Sequence, residues 1–407
     1  MLENLSHFLN GELPAALETL ERMVRINSFT ENRAGVDELG RLTAETFAPL
    51  GFTAECVPSV NPRFGDHLVL TRRGSGPRSV ALISHLDTVF PAAEEEANDF
   101  RWRREGDRIY GPGTNDIKGG TMMIWLVLRG LRQFAPDVFE SVTWRVLLNS
   151  SEETLSPDFG DVCRGCFDAG TVAALVFEAE GTTGGGRNVV VARKGRATWR
   201  VTATGRGAHA GSKPGVGVNA IVELAGVIPR IAAIADPSRE LTVNPGVIRG
   251  GSVLNRVPHE AVVEGEMRAF DPAALADGRA AIVALTGEGG VRALSDNHVG
   301  RVEGVITASS RPWPRNAETD RLAAIWLAES ARLGMPLGTE QRGGLSDGNL
   351  IWDSVPTLDG LGPRGDHAHC SERSADGQKV PEYVEASSFV PKAVINIHAI
   401  LALLGER

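Results

Sequence analysis

Apolar positions recur at helical spacing over residues 13–26 and 36–50, and Gly51 follows the second stretch as a C-terminal cap would. The period then shortens. Residues 52–57, 67–71 and 80–84 read as short strands, and 142–148 and 172–177 as strands apolar enough to be buried on both faces. Between them, residues 118–134 predict a strong helix through Met122, Met123, Leu126, Val127 and Leu131, stopped before Pro136. Strands alternating with helices predict an α/β domain, a mostly parallel sheet with helices on both faces.

Near Lys194 the character changes. Residues 197–204 alternate as a half-buried strand (Trp199, Val201, Ala203), and 218–234 form an amphipathic helix. Strands over 241–248 and 261–270, a helix over 272–285 and a strand over 298–307 complete the order β-α-β-β-α-β. That order is a whole ferredoxin-like α+β sandwich. It predicts an inserted domain over 194–308, with 1–193 and 309–407 forming the domain around it. In the latter, 318–333 and 385–404 read as helices and 356–358 as a short strand.

At 407 residues the chain can bury two full cores. The net charge is −9 and no Lys/Arg run is long enough to follow a phosphate backbone, so nucleic acid is not an expected partner. No apolar stretch approaches the ~20 residues of a membrane span, and the start, Met1 to His7, lacks the features of a secretory leader. Four cysteines argue against a disulfide framework, and Cys163-Arg164-Gly165-Cys166 reads as a pair of ordinary thiols. The expectation is a cytoplasmic protein with no membrane partner.

The chemistry gathers at the ends of the apolar strands. Residues 80–83 deliver His85 and Asp87, which share one face of an extended backbone, so one ring nitrogen can bind a metal while the carboxylate fixes the other. Asp116 lies in a glycine-rich loop before the strong helix, where it reads either as a helix cap or as a metal-bridging carboxylate. Pro112 and the acid both disfavour a phosphate cradle there. Glu152 and Glu153 follow the strand 142–148, Glu178 and Glu180 follow 172–177, and Glu178 is preferred because it lies nearer its strand. A glycine-rich loop late in the chain offers His367 and His369. If His85, Asp116, Glu153, Glu178 and His369 hold two divalent ions, three carboxylates and a bridging hydroxide balance their charge. Each ion then has four ligands, the number zinc prefers, although cobalt or manganese suits the same donors. Glu152, adjacent to a ligand, is then placed as general base.

These segments resemble the dinuclear-zinc exopeptidase and deacylase family that contains glutamate carboxypeptidase, acetylornithine deacetylase and succinyl-diaminopimelate desuccinylase. Ser84 to Pro91, Gly111 to Gly120, Ser150 to Thr154, Phe177-Glu178, Gly207 to Ala220 and Ser346 to His369 stand in the family's order through nearly the whole chain. The resemblance implies Glu152 as base, Asp116 as bridge, Asp87 behind His85, and an inserted domain that forms a homodimer. It makes His209 similar to the histidine that reaches the partner subunit's site and stabilises the oxyanion. Asn255 and Arg311 resemble the residues that hold the substrate carboxylate, with Arg268 and Gly344 as further candidates. Residues 371–381 depart from the family by being longer and charged, and the glycine-rich approach favours His369 over His367. The expected activity is hydrolysis of an amide beside a free carboxylate in a small peptide or N-acyl amino acid. Within the family, glutamate carboxypeptidase is favoured over an N-acyl-amino-acid deacylase. A distant alternative is a serine hydrolase using Ser346 in Gly344-Leu345-Ser346-Asp347-Gly348, although residues 339–343 make a poor buried strand before it.

Overall fold

A computed structural model describes residues 2–405; Met1, which heads the stretch read for a leader, and the last two residues lie outside it. The chain forms two compact units. The first runs to Val191 and resumes over Arg315–Gln341 and from Ser346 onward, and the second comprises Ala192–Pro314 and Arg342–Leu345.

The first unit is built on a six-stranded sheet in the order Thr53–Val57, His67–Arg72, Thr143–Asn149, Ser79–His85, Thr171–Val176, Thr357–Leu358. The last four of these run parallel, His67–Arg72 joins them antiparallel, and Thr53–Val57 pairs antiparallel with His67–Arg72. Alternate residues serve opposite faces, as the pleat requires. Leu82, Val146, Leu148 and Leu175 face a large core shared with the helices Leu2–Val24, Arg33–Phe47, Gly119–Phe134 and Phe389–Leu403. Ala81, Ile83, Leu147 and Val176 face a smaller one closed by the helix Phe159–Cys166 with Ile351 and Val355. All four cysteines are free thiols.

Three elements differ from expectation. The first helix begins well before residue 13, because Leu5 and Leu9 extend the buried stripe of Leu20 and Met23 past Pro14. The segment Ala386–Leu403 is long and apolar enough to cross a membrane, but its Val394, Ile395, Ile397 and Ile400 are buried in the first core, which accounts for its composition. A four-stranded sheet of Gly365–Asp366, Tyr383–Glu385, Arg108–Tyr110 and Arg103–Glu105 has strands too short to show a period.

The second unit is a five-stranded antiparallel sheet ordered Thr242–Gly250, Glu260–Ala269, Gly195–Thr204, Val299–Ser310, Gly287–Arg292. Trp199, Val201, Val263 and Met267 share its core with Leu224 and Val227 of the helix Ala220–Ala232 and Leu275 and Ile282 of Pro272–Val283. Asn219 and Asp271 cap those helices by accepting from two backbone amides each. The fifth strand, Gly287–Arg292, extends the predicted sandwich. Its sequence, Gly-Glu-Gly-Gly-Val-Arg, carries no alternation that would announce it.

Register fixes where chemistry can sit. His85 lies level with Asn149, and Ile83 with Val176, so three parallel strands end on one edge. The helix Gly119–Phe134 approaches that edge through Gly120, where a Cβ would stand 2.0 Å from the Phe177 carbonyl oxygen. A backbone oxygen cannot swing aside as a side-chain tip can. Gly120→Ala is expected to cost about 3 kcal/mol or more of first-unit stability, read as a lowered denaturation midpoint in urea.

Candidate metal centre

Asp116 lies at the middle of this edge. It is not a helix cap: the helix starts at Gly119 behind Lys118, and Asp116 itself adopts φ −124°, ψ 87° in the turn before it. Its Oδ1 lies 3.0 Å from His85 Nε2 and its Oδ2 3.2 Å from His369 Nε2. One carboxylate thus offers one oxygen to each histidine. Glu153 Oε2 stands 3.1 Å from His369 Nε2, and Glu178 Oε1 stands 3.8 Å from His85 Nε2. His85, Glu178, His369 and Glu153 are therefore gathered around Asp116 as two halves of one cluster. Ligand atoms of His85, Asp116 and Glu153 lie within 4.8 Å of one another.

The choice between neighbouring residues follows from the contacts. Glu180 turns away to Arg187, at 2.8 and 3.0 Å, and to Lys392 Nζ at 3.0 Å. The His367 ring instead lies 6.0 Å from that of Tyr383.

Asp87 does more than the H-x-D spacing suggests. The His85 Nδ1–H bond goes to the Asp87 main-chain oxygen at 3.0 Å, with the carboxylate at 3.4 Å. That leaves Nε2 to face the Asp116 carboxylate, as a nitrogen that could bind a metal. The carboxylate accepts instead from the Thr30 hydroxyl at 2.7 Å and the amides of Glu152 and Glu153 at 3.0 and 3.2 Å. It fixes the turn Glu152–Thr154 that carries both acids.

The electrostatics call for cations. Burial works to raise the Asp116 carboxyl, but hydrogen bonds from His369 and His85 outweigh it and hold it well below the usual range. Burial works to lower His85, yet its bonds to Asp116 and Asp87 keep it well above an ordinary imidazole. Bonds to Asp116 and Glu153 push His369 up to about 11. Burial, reinforced by the Asp116 charge, pushes Glu153 up to about 7, and its Oε1 is buried without a hydrogen-bond partner. Glu152 is driven well up by burial, with Glu153, Asp347 and Glu178 adding to it. A buried cluster this rich in carboxylate, with one acceptor oxygen unused, fits divalent cations.

Comparison with known proteins bears on the same chemistry. Residues 191–292 match the peptidase dimerisation domain. Carboxypeptidase G2 of Pseudomonas sp. (strain RS-16) is 29% identical over 397 residues, covering 97% of this chain and 90% of that protein. The chain thus carries the M20 peptidase dimerisation domain and resembles M20 peptidases over nearly its whole length. Acetylornithine deacetylase of Photorhabdus laumondii is 25% identical over 279 residues, covering 61% of this chain and 66% of the relative. A crystallised tripeptidase from Staphylococcus aureus shares the fold, with a TM-score of 0.74 at 23% identity over 97% of this chain and 99% of that one. With these relatives the protein is an enzyme, a metallohydrolase.

Of the remaining candidates, His209, Asn255, Arg311, Arg268 and Gly344 lie in the second unit and Ser346 in the first. His209 Nδ1 accepts from the amides of Gly211 and Ser212 at 3.2 and 3.1 Å, which places the ring proton on Nε2. Asn255 is exposed, and its carbonyl accepts from Ala210 N–H. Arg311 is exposed just beyond the strand Val299–Ser310. Arg268 is engaged bidentately by Glu266 and donates to the Gly343 carbonyl, and the Gly344 carbonyl accepts from Arg193. Ser346 is buried, donating to Asp359 Oδ2 at 3.0 Å and accepting from Gly348 N–H. It bonds no histidine among the described residues, so it lacks the base a nucleophilic serine needs. The segment before it does form a strand, Gly338–Arg342, but a half-exposed one paired with Asn188–Arg193 in a two-stranded ribbon.

Sequence reasoning passed over Glu382. Its Oε1 accepts from the amides of Asn115 and Asp116 at 2.9 and 3.1 Å, fixing the backbone that carries the shared carboxylate. Burial pushes its carboxyl up to about 8, and Oε2 has no hydrogen-bond partner. An acid heading the apolar pair Tyr383-Val384 was the available signal. Glu382→Gln is expected to weaken divalent-cation binding about ten- to a hundred-fold without unfolding the chain, measured by calorimetric titration of the protein with zinc, cobalt and manganese.

Proposed function

We propose that the enzyme hydrolyses an amide bond next to a free carboxylate, as a glutamate-carboxypeptidase-like peptidase, with two zinc ions held by His85, Asp116, Glu153, Glu178 and His369. The observation that carries this reading is the Asp116 carboxylate shared between His85 and His369, with Glu152 on the turn beside it. Bound there, the cations would polarise the scissile carbonyl and lower the pKa of the attacking water.

The protein's own groups do the rest. Glu152, fixed through its backbone by Asp87 and held among carboxylates that raise its proton affinity, takes the proton of the attacking water and returns it to the departing nitrogen. Asp87 holds that turn and the His85 ring in place. His209, its proton on Nε2, donates to the developing oxyanion in the site of a second subunit. Arg311 and Asn255 take the substrate carboxylate, the arginine through its fork of donors, while the bonds Arg268 and Gly344 already make assign them to shaping the unit's backbone.

The coverage of carboxypeptidase G2 over nearly the whole chain favours a peptidase. The second reading, an N-acyl-amino-acid deacylase, draws on the relatives named acetylornithine deacetylase and succinyl-diaminopimelate desuccinylase. A turnover screen of N-peptidyl and N-acyl amino acids with zinc, cobalt or manganese restored to the apoenzyme separates the two. Glutamate-terminal substrates are expected to react; exclusive turnover of acetyl or succinyl amino acids reverses the order.

Glu152→Gln is expected to lower kcat by roughly 10²–10⁴-fold while KM and zinc stoichiometry hold, in steady-state kinetics paired with metal analysis. Full activity in that variant, or activity that survives exhaustive chelation, rejects the mechanism.

A further inference from the structure

Residues 150–158 leave the end of the strand Thr143–Asn149, carry Glu152 and Glu153, and run into the helix Phe159–Cys166. Asp87 holds the middle of this loop through the amides of Glu152 and Glu153. The two ends of the loop meet on a single side chain, His67, at the start of the strand His67–Arg72. At the entrance, Ser150 N–H donates to His67 Nδ1 at 3.1 Å, and the Ser150 hydroxyl donates to the Gly65 carbonyl at 2.7 Å. At the exit, Asp158 Oδ1 lies 3.1 Å from His67 Nε2, and Asp158 Oδ2 accepts from Val60 N–H at 2.6 Å. Asp158 occupies the N-cap position of the following helix, yet its side chain caps no amide there. Its carboxylate is turned to His67 and Val60 instead.

Ser150, His67 and Asp158 stand in the order of a nucleophilic triad, but Ser150 and His67 are wholly enclosed and the serine proton goes to Gly65. The chain of bonds has another use. A backbone N–H can only donate, so Nδ1 is the accepting nitrogen and the ring is neutral, with its proton on Nε2 and given to Asp158. Burial agrees with a neutral ring: it lowers the proton affinity of His67, outweighing the opposite pull of Asp158, Asp87 and Asp66. The two nitrogens of an imidazole are a fixed distance apart, so one rigid group sets the spacing between the two ends of the loop.

We propose that His67 is a positioning residue for the metal centre, tying Ser150 to Asp158 so that the loop between them aims Glu152 and Glu153 at the centre. The inference rests on the proposed reading of Glu152 as base and Glu153 as ligand. An anchor at the middle alone leaves a loop free to pivot about it. A bridge between its ends removes the pivot, and a base displaced by about 1 Å loses roughly a hundred-fold in rate.

Three variants take the bridge apart. An asparagine carbonyl can stand near the place of Nδ1 and a glutamine amide near that of Nε2. His67→Asn therefore keeps the Ser150 end, His67→Gln keeps the Asp158 end, and His67→Phe keeps a ring with neither. Hydrogen exchange of the full-length, metal-free protein, followed by mass spectrometry of peptides over 150–158, is expected to quicken at both ends in His67→Phe. It is expected to quicken only at the exit in His67→Asn and only at the entrance in His67→Gln, with the rest of the first unit unchanged. With zinc restored, kcat is expected to fall roughly a hundred-fold in His67→Phe at little change in KM, and His67→Asn and His67→Gln to recover part of the loss. Wild-type exchange over 150–158 or wild-type kcat in His67→Phe overturns the proposal. So does exchange that quickens throughout the first unit in all three variants, which would make His67 a packing residue only. Exchange is read without metal or turnover, so an error in the role of Glu152 would show in the Glu152→Gln kinetics and leave the loop pattern standing.

Discussion

The centre depends on one carboxylate being held ionised, buried and fully occupied. Asp116 presents an oxygen to each of two histidines while Glu382 grips its amide from behind. Around it crowd Glu152, Glu153, Glu178, Asp87 and Asp347, far more negative charge than two imidazoles can neutralise. Burial first, and like charge second, push such carboxyls toward the neutral form, as Glu153 and Asp347 show with both driven up to about 7. Divalent ions reverse that tendency, because a nearby multiple positive charge favours every ionised oxygen at once. Placing these acids together is destabilising without cations and favourable with them, so metal binding and the integrity of this edge of the sheet are linked.

The fold makes the crowding possible through backbone approach rather than side-chain length. Parallel strands bring His85, the Glu152 turn and Glu178 to one edge. Gly120 lets the following helix close on the Phe177 carbonyl. Gly365 lets the His369 loop pass with a notional Cβ only 2.3 Å from both Asn115 Oδ1 and the Tyr383 carbonyl. Asp87 then ties three segments together: the strand end that carries His85, the Thr30 turn and the Glu152 turn. A single carboxylate accepting from two successive amides and a hydroxyl is spent on geometry, which frees Glu152 and Glu153 to differ in role despite being adjacent.

Much of this was legible in the sequence because the strands are long and apolar and their ends are acidic. His85, the pair Glu152-Glu153 and Glu178 could be brought to one sheet edge from period and strand polarity, Asp116 from its place in the loop before a strong helix, and His369 over His367 from the resemblance. The misses share a cause. Gly287–Arg292 and the two- and three-residue strands carry no period, so hydrogen bonding to a neighbour defines them and composition does not. Glu382 and Thr30 act through backbone amides and another residue's side chain, contacts that no local motif encodes. The His85 Nδ1 bond to a main-chain oxygen, in place of the expected carboxylate, is likewise invisible until the turn after the strand is seen.

The segment 371–381 shows how a surface excursion can serve the centre. Its two ends are His369 and Glu382, and they are pinned together where Glu382 N–H donates to the Cys370 carbonyl at 2.8 Å. His367 and His369 both adopt left-handed backbone, φ 60° and 66°, a conformation that costs a non-glycine residue and persists only where surroundings enforce it. The enforcement comes from the excursion. Ser371 is bonded by Asn98 at 2.7 Å and donates to Glu94, while Arg373 is clasped by Glu105 at 2.9 and 3.1 Å and lies over the Tyr110 ring. His369 has a side chain about half exposed, unlike buried His85, so packing alone does not hold it. Extra chain, anchored at a distance from the metal centre, supplies for this histidine the constraint that a buried strand supplies for the other.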